Sequence, residues 1–165
     1  MNIYFVRHPE TQWNKAGILQ GHKDSSLTPD GEDEAKKLGE LLKIKNIEII
    51  YSSDLGRCIQ TAEIINSFIN KEIVKVLELR ERNFGDLNGR PNSEVREILN
   101  LSDPNQLAPN GESFNQMRMR VLKFVQSLSA KNFKNILLVT HEGVTRAILS
   151  DYRVVRQGSI YKIKP

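Results

Sequence analysis

Ile136-Leu137-Leu138-Val139-Thr140-His141 is the stretch that decides the fold. Its four aliphatic residues come in a row, with no polar residue at alternate positions. A strand of this kind is buried on both faces, as in a parallel sheet covered by helices. Three more short apolar runs occur at residues 3–6, 47–51 and 73–77, rich in Ile and Val. Residues 159–163 read as a further strand at the sheet edge.

Helical periods fill the gaps. Thr28 followed by Pro29 is a helix start, a capping hydroxyl and then proline at the first helical position. Ala35, Leu38, Leu41 and Leu42 supply its apolar stripe. Ile59, Ala62, Ile65 and Ile69 mark a second helix, and Phe114, Met117, Val121, Phe124 and Leu128 a third. Strands alternating with helices predict an α/β protein: a three-layer α/β/α sandwich with a mainly parallel sheet and an edge strand. Residues 80–113 break the pattern with Gly85, Gly89, Pro91, Pro104, Pro109 and Gly111, around one short helical pattern at 93–101. Such an insertion is expected to cover a site.

Composition narrows the class. At 165 residues the chain has the length of one domain spanning 1–165. Its 39% hydrophobic content is enough for an ordinary core, which excludes a disordered chain. The single cysteine, Cys58, excludes a disulfide framework and points to a reducing cytoplasm. No apolar run reaches the roughly 20 residues of a membrane span, and Met1–Val6 lacks the basic lead-in of a signal peptide. The formal net charge is +4, and its 24 basic residues are interspersed with 20 acidic ones. That pattern argues against nucleic acid and a membrane surface and suits a small anionic substrate. A monomer or a homodimer is expected.

The chemistry-bearing residues stand just after the strand runs. Arg7-His8 follows the first, Ser52-Ser53-Asp54 with Arg57 the second, Glu81 the third, and His141 the fourth. Ligands of open α/β sheets bind beyond the carboxyl ends of the strands. Two histidines, two arginines and a carboxylate meeting there would suit phosphoryl transfer. The arginines clamp phosphate, one imidazole attacks phosphorus, the other spreads charge, and the carboxyl group moves the proton. Singly, each has a structural reading: a packed histidine, a surface arginine, a Glu81 paired with its neighbours. Their shared position at strand ends is what favours the chemical one.

These residues also carry a family resemblance. Arg7-His8-Pro9-Glu10-Thr11-Gln12-Trp13-Asn14 resembles the Arg-His-Gly-Glu-Thr-x-x-Asn opening of the histidine phosphatase superfamily, which includes the cofactor-dependent phosphoglycerate mutases. The segment Gln20-Gly21 through Gly31, with Leu27-Thr28, is similar to the next motif. Ser52-Ser53-Asp54-Leu55-Gly56-Arg57, Leu79-Arg80-Glu81-Arg82-Asn83-Phe84-Gly85, Asn110-Gly111-Glu112-Ser113 and Val139-Thr140-His141-Glu142-Gly143-Val144 follow in the family's order. The resemblance implies that His8 is phosphorylated, that Arg7, Arg57 and His141 form the phosphate pocket, and that Glu81 is the proton donor. It adds Asn14 as a phosphate contact, Gln20 and Gly21 as the substrate border, and the backbone N–H of Glu142 as a donor to phosphate. It implies no metal and no cofactor.

Two positions depart from the family. Pro9 stands where a glycine is usual, so the turn after His8 must suit a φ near −65°. Glu142 stands where a small or neutral residue is usual, and its carboxylate is expected to point away from the phosphate. His22 could join His8 and His141 around zinc, but no short metal motif is present and arginines repel a cation. Cys58 lies in a helical stretch and is expected to pack. Trp13 is expected to wedge its loop. Lys23 is expected on the solvated surface, while Arg82 and Arg90 are candidates for a second anionic group.

The short insertion and C-terminus favour hydrolysis over mutase action. The expected function is a metal-independent phosphomonoesterase acting on a small phosphorylated metabolite, similar to α-ribazole phosphatases and broad-specificity phosphatases. Phosphoglycerate mutase activity and a catalytically impaired phospho-ligand-binding module are the alternatives. Residues 151–153 lead so quickly to the last strand that the end of the domain is expected to lack a helical turn and a connection.

Overall fold

The computed structural model describes residues 1–149 and 156–163. Five strands form one sheet: β1 (Asn2–Arg7), β2 (Ile49–Ser53), β3 (Ile73–Val76), β4 (Asn135–Thr140) and β5 (Ile160–Ile163). Their order is β3-β2-β4-β1-β5. The first four are parallel and β5 runs antiparallel against β1. A single helical turn, α1 (Gln12–Lys15), follows β1 and is capped by Thr11.

The doubly apolar strands are explained by the two faces they serve. Tyr4, Val6, Ile50, Leu137 and Val139 pack against Leu38 and Leu42 of α2 (Pro29–Leu42) and Cys58, Ala62 and Ile65 of α3 (Gly56–Ile69). Ile3, Phe5, Tyr51, Ile136 and Leu138 pack against Met117, Val121 and Val125 of α5 (Phe114–Ser127) and Val144, Ala147 and Ile148 of α6 (Glu142–Leu149). Alternate residues of one strand thus belong to opposite cores, and each large apolar side chain buried contributes about 1.5–3 kcal/mol. Helix α2 starts where Thr28-Pro29 places it, and α5 is capped in its own way. Thr28 Oγ1 accepts from Gly31 N at 3.0 Å, and Ser113 and Gln116 close a capping box. The architecture is the expected three-layer α/β/α sandwich with a mainly parallel sheet and an edge strand.

Some boundaries move. β2 begins at Ile49 and runs on to Ser53, so both serines belong to the strand. β3 ends at Val76, and Leu77, 60% exposed, opens a 3-10 turn through Leu79. The helix of the insertion, α4, covers Asn92–Ile98 and stops when Leu99 turns inward in extended conformation. Leu99 then joins Phe84, Leu87, Val95 and Ala108 in a small core of the insertion's own. The edge strand pairs Val6 with Ile160, and Tyr161 stacks on Phe5 at 5.5 Å between ring centroids. The expectation for residues 151–153 falls outside the described residues. Among the described residues no helix is long and apolar enough to cross a membrane.

Candidate active site

Sheet register brings the two histidines together. Arg7 pairs with Thr140, and His8 N donates to Thr140 O at 2.9 Å, so His8 and His141 leave adjacent parallel strands at the same level. Their rings meet edge to face, 5.3 Å between centroids.

His8 is buried, 4% exposed. Its Nδ1 lies 2.9 Å from the carbonyl of Pro9, a contact that only an Nδ1–H donor satisfies. The lone pair is then on Nε2, which accepts from Arg57 Nε at 3.2 Å. Burial first, then the charges of Arg57 and Arg7, hold this imidazole well below its ordinary pKa. It is a neutral base with a defined tautomer. The Pro9 carbonyl orients the ring.

Arg57 is 1% exposed. Its guanidinium is held on several sides: Nη2 donates to Gly21 O at 2.8 Å, and Nη1 to Lys23 O at 2.9 Å and Asp24 Oδ1 at 3.0 Å. Asp24 also receives the N–H groups of Gly56 and Arg57. Leu55, at the start of α3, has no capping side chain, so a carboxylate from a distant loop caps the helix and fixes its arginine together.

His141 is fully buried, with Nε2 2.8 Å from Ser53 Oγ and 3.4 Å from Cys58 Sγ. Burial, then the charges of Arg57, His8, His22 and Arg120, lowers its pKa well below the ordinary value. Burial likewise pushes the Cys58 thiol upward, so it stays a packed, protonated group.

Glu81 comes from the loop after β3. Its Oε1 accepts from Arg82 N at 2.9 Å and its Oε2 from Gly143 N at 3.1 Å. The carboxylate lies so close over the first turn of α6 that a Cβ at position 143 would collide with it. Arg120 braces the loop from behind, donating to the carbonyls of Glu78, Arg80 and Glu81 while paired with Glu112 at 2.6 Å.

All five expected residues, with Asn14, Gln20, Gly21 and Glu142, lie around one site, and all but His141 line a single cleft of about 420 Å³. Asn14 Oδ1 is engaged in capping Thr11, and Gln20 Oε1 accepts from Ser25 Oγ at 3.2 Å. His22 stands apart, its Nε2 2.8 Å from the carbonyl of Glu81. Among the described residues no group of three or more His, Cys, Asp or Glu could hold a metal ion. Arg82 is buried and bound to the carbonyls of Gln106 and Glu112, while Lys23 is exposed as expected.

One expectation fails. The Glu142 carboxylate does not point away; it meets Arg7 Nη1 at 2.8 Å and Arg146 beyond it. Helical spacing explains this, since Arg146 lies one turn on from Glu142 and draws the side chain along the cleft wall. Among the described residues Arg7 Nε is buried with no hydrogen-bond partner, and an unpaired buried donor costs about 1–3 kcal/mol. Sequence reasoning also missed Asp24 as the anchor of Arg57, Ser53 as the partner of His141, and Arg96 and Arg146 on the cleft wall. Asp24 and Ser53 lay inside the family motifs; Arg96 and Arg146 gave no signal.

Strand order, helix layers and a cleft at the carboxyl edge of the sheet define a phosphoglycerate mutase-like α/β enzyme. The family model described as Histidine phosphatase superfamily (branch 1) matches residues 3–164, and the chain belongs to that superfamily. It is similar to a broad-specificity phosphatase of Saccharomyces cerevisiae, 33% identical over 90% of this chain and 69% of the relative. A phosphoglycerate mutase-like protein of Arabidopsis thaliana is 35% identical over 88% of this chain and 68% of its own. Among solved structures, the α-ribazole phosphatase of Shigella flexneri matches with a TM-score of 0.87 and 29% identity, over 99% of this chain and 90% of that one. The chain is a phosphatase-class hydrolase.

Proposed function

We propose that the chain is a metal-independent phosphomonoesterase that works through a phosphohistidine at His8 and takes a small phosphorylated metabolite. One observation carries the reading: a buried, neutral His8 whose Nε2 lone pair meets Arg57 in the cleft while Nδ1 is tied to Pro9 O.

At rest, Arg57 Nε–H sits on the attacking lone pair. An incoming phosphoryl oxygen takes over that donor and frees Nε2. The Nε2–P bond forms as the P–O bond to the alcohol breaks, and a proton from the Glu81 carboxyl group moves to the leaving oxygen. Arg7, Arg57 and His141 meet the charge on the equatorial oxygens. In the second half, water adds to phosphorus, the Nε2–P bond breaks, and Glu81 takes the water proton. Phosphate leaves and His8 is neutral again.

The test is acid-labile phosphate on His8 after mixing with para-nitrophenyl phosphate. His8→Ala is expected to lose at least about 10⁴-fold in kcat. Activity that survives this change but disappears with a chelator would overturn the mechanism. The likeness to a phosphoglycerate mutase-like protein keeps a second reading, tested by interconversion of the two monophosphoglycerates. A panel including α-ribazole phosphate ranks the substrates.

A further inference from the structure

Arg7 is shared. Its guanidinium holds one carboxylate through Nη1 while its Nε is buried and without a partner among the described residues. Side-chain exposure rises outward along the chain of charges: 15% at Arg7, 33% at Glu142 and 49% at Arg146. Arg7, Glu142 and Arg146 all line the cleft that holds His8 and Arg57. A carboxylate bonded to one arm of Arg7 lies within a few ångströms of any phosphoryl group bound to the rest of it. It repels that group and withholds part of the cation's field. Arg146 on the far side drains some of the carboxylate's charge and lessens the penalty.

We propose that Glu142 is a specificity-determining residue: a built-in anion that shares Arg7 with the phosphoryl group, loosens product phosphate and handicaps substrates with a second anion close to the phosphoester. The substrate class favoured is then a phosphomonoester whose alcohol is neutral or cationic near the ester oxygen. This deepens the phosphomonoesterase reading and rests on it for its kinetic part.

The charges predict opposite signs for two neighbours. Removing the anion in Glu142→Gln should tighten binding of inorganic phosphate roughly three- to ten-fold, the size of a like charge about 5 Å away in a wet site. Removing its neutraliser in Arg146→Ala should weaken phosphate binding. Calorimetric titration with inorganic phosphate reads both without turnover, and thermal melts check that each variant is folded. Glu142→Asp, one methylene shorter, should shift binding in the same direction by less and serves if the glutamine variant does not fold. In kinetics, Glu142→Gln should improve phosphoglycerate, which carries a carboxylate beside its phosphoester, as a substrate relative to para-nitrophenyl phosphate. The ratio of the two kcat/KM values measures this. Phosphate binding unchanged or weakened in Glu142→Gln would overturn the proposal, as would an unmoved substrate ratio. A purely structural role for Glu142 predicts weaker phosphate binding in both variants. No turnover in the parent chain, with phosphate tightened in Glu142→Gln, would sink the proposed function and leave this inference standing.

Discussion

The floor of the cleft and its outer wall are built by different rules. On the floor, Arg57, His8 and His141 are 1%, 4% and 0% exposed, and each has a fixed hydrogen-bond partner. They stand at the ends of paired strands or at the start of a helix beside them, so sheet register sets their spacing. The outer wall carries Arg96 of α4, exposed and with no ion-pair partner among the described residues, and Leu101, 46% exposed. These belong to an insertion with its own small core. The fixed floor suits the phosphoryl chemistry proposed above, and the exposed wall suits contact with the alcohol. Arg7 and Glu142 are the seam, where a fixed clamp meets an adjustable charge.

If the floor depends on position rather than on residue type, a single methyl group there should be costly. Gly143→Ala places a Cβ on the Glu81 carboxylate. Glu81 has to move, and its bond from Gly143 N is lost or stretched. A displacement near 1 Å predicts a loss of about 10²-fold in kcat, with circular dichroism and melting temperature close to those of the parent. Unaltered kcat would show that Glu81 needs no fixed place, and the contrast between floor and wall would fail.

The buried imidazoles give the floor a pH signature that the wall lacks. His8 and His141 are both held well below their ordinary range, by burial first and by Arg57 next. The unfolded chain titrates its histidines near 6.5, so below about that pH it binds protons that the folded chain refuses. Stability then falls as the pH drops from about 6.5 toward the folded values, by up to about 1.4 kcal/mol per pH unit for each histidine. Above that window these two groups add no pH dependence. Urea unfolding at pH 7.5 and 5.5 measures it; equal stability at both would mean that the histidines are not neutral in the folded chain. The acid limb of kcat/KM is expected below 6.5 for the same reason, because His8 keeps its lone pair there.

How much of this could be read from sequence divides along the same seam. The strand runs, the helix start at Thr28-Pro29, and the five expected residues His8, Arg57, His141, Glu81 and Arg7 were legible, because periodicity and motif order are local signals. What escaped were pairings across long separations. Asp24 reaches Arg57 and caps α3 from 33 positions away; each lies in a family motif, but neither motif marks the two as partners. The orientation of Glu142 was misjudged because Arg7, its partner across the cleft, comes from β1, while Arg146 one turn on in α6 was a local signal. The end of β3 was misplaced by Leu77, an apolar residue that the 3-10 turn leaves in solvent.

The smallest effect is expected on the wall. Arg96 lines the cleft without a carboxylate partner among the described residues, so its charge is available to a substrate. It sits on a seven-residue helix, exposed, and its removal opens no cavity. Arg96→Ala should leave stability within about 0.5 kcal/mol of the parent. On para-nitrophenyl phosphate, whose leaving group has no anion, kcat should not change. On a phosphomonoester with a distal anionic group, KM should rise by about two- to five-fold, the worth of one partly solvated ion pair. A rise in KM alone would place Arg96 in uniform binding, outside the chemical step. An equal loss of kcat on both substrates would instead tie the insertion to the chemistry of the floor. The division between floor and wall would then have to be redrawn to include α4.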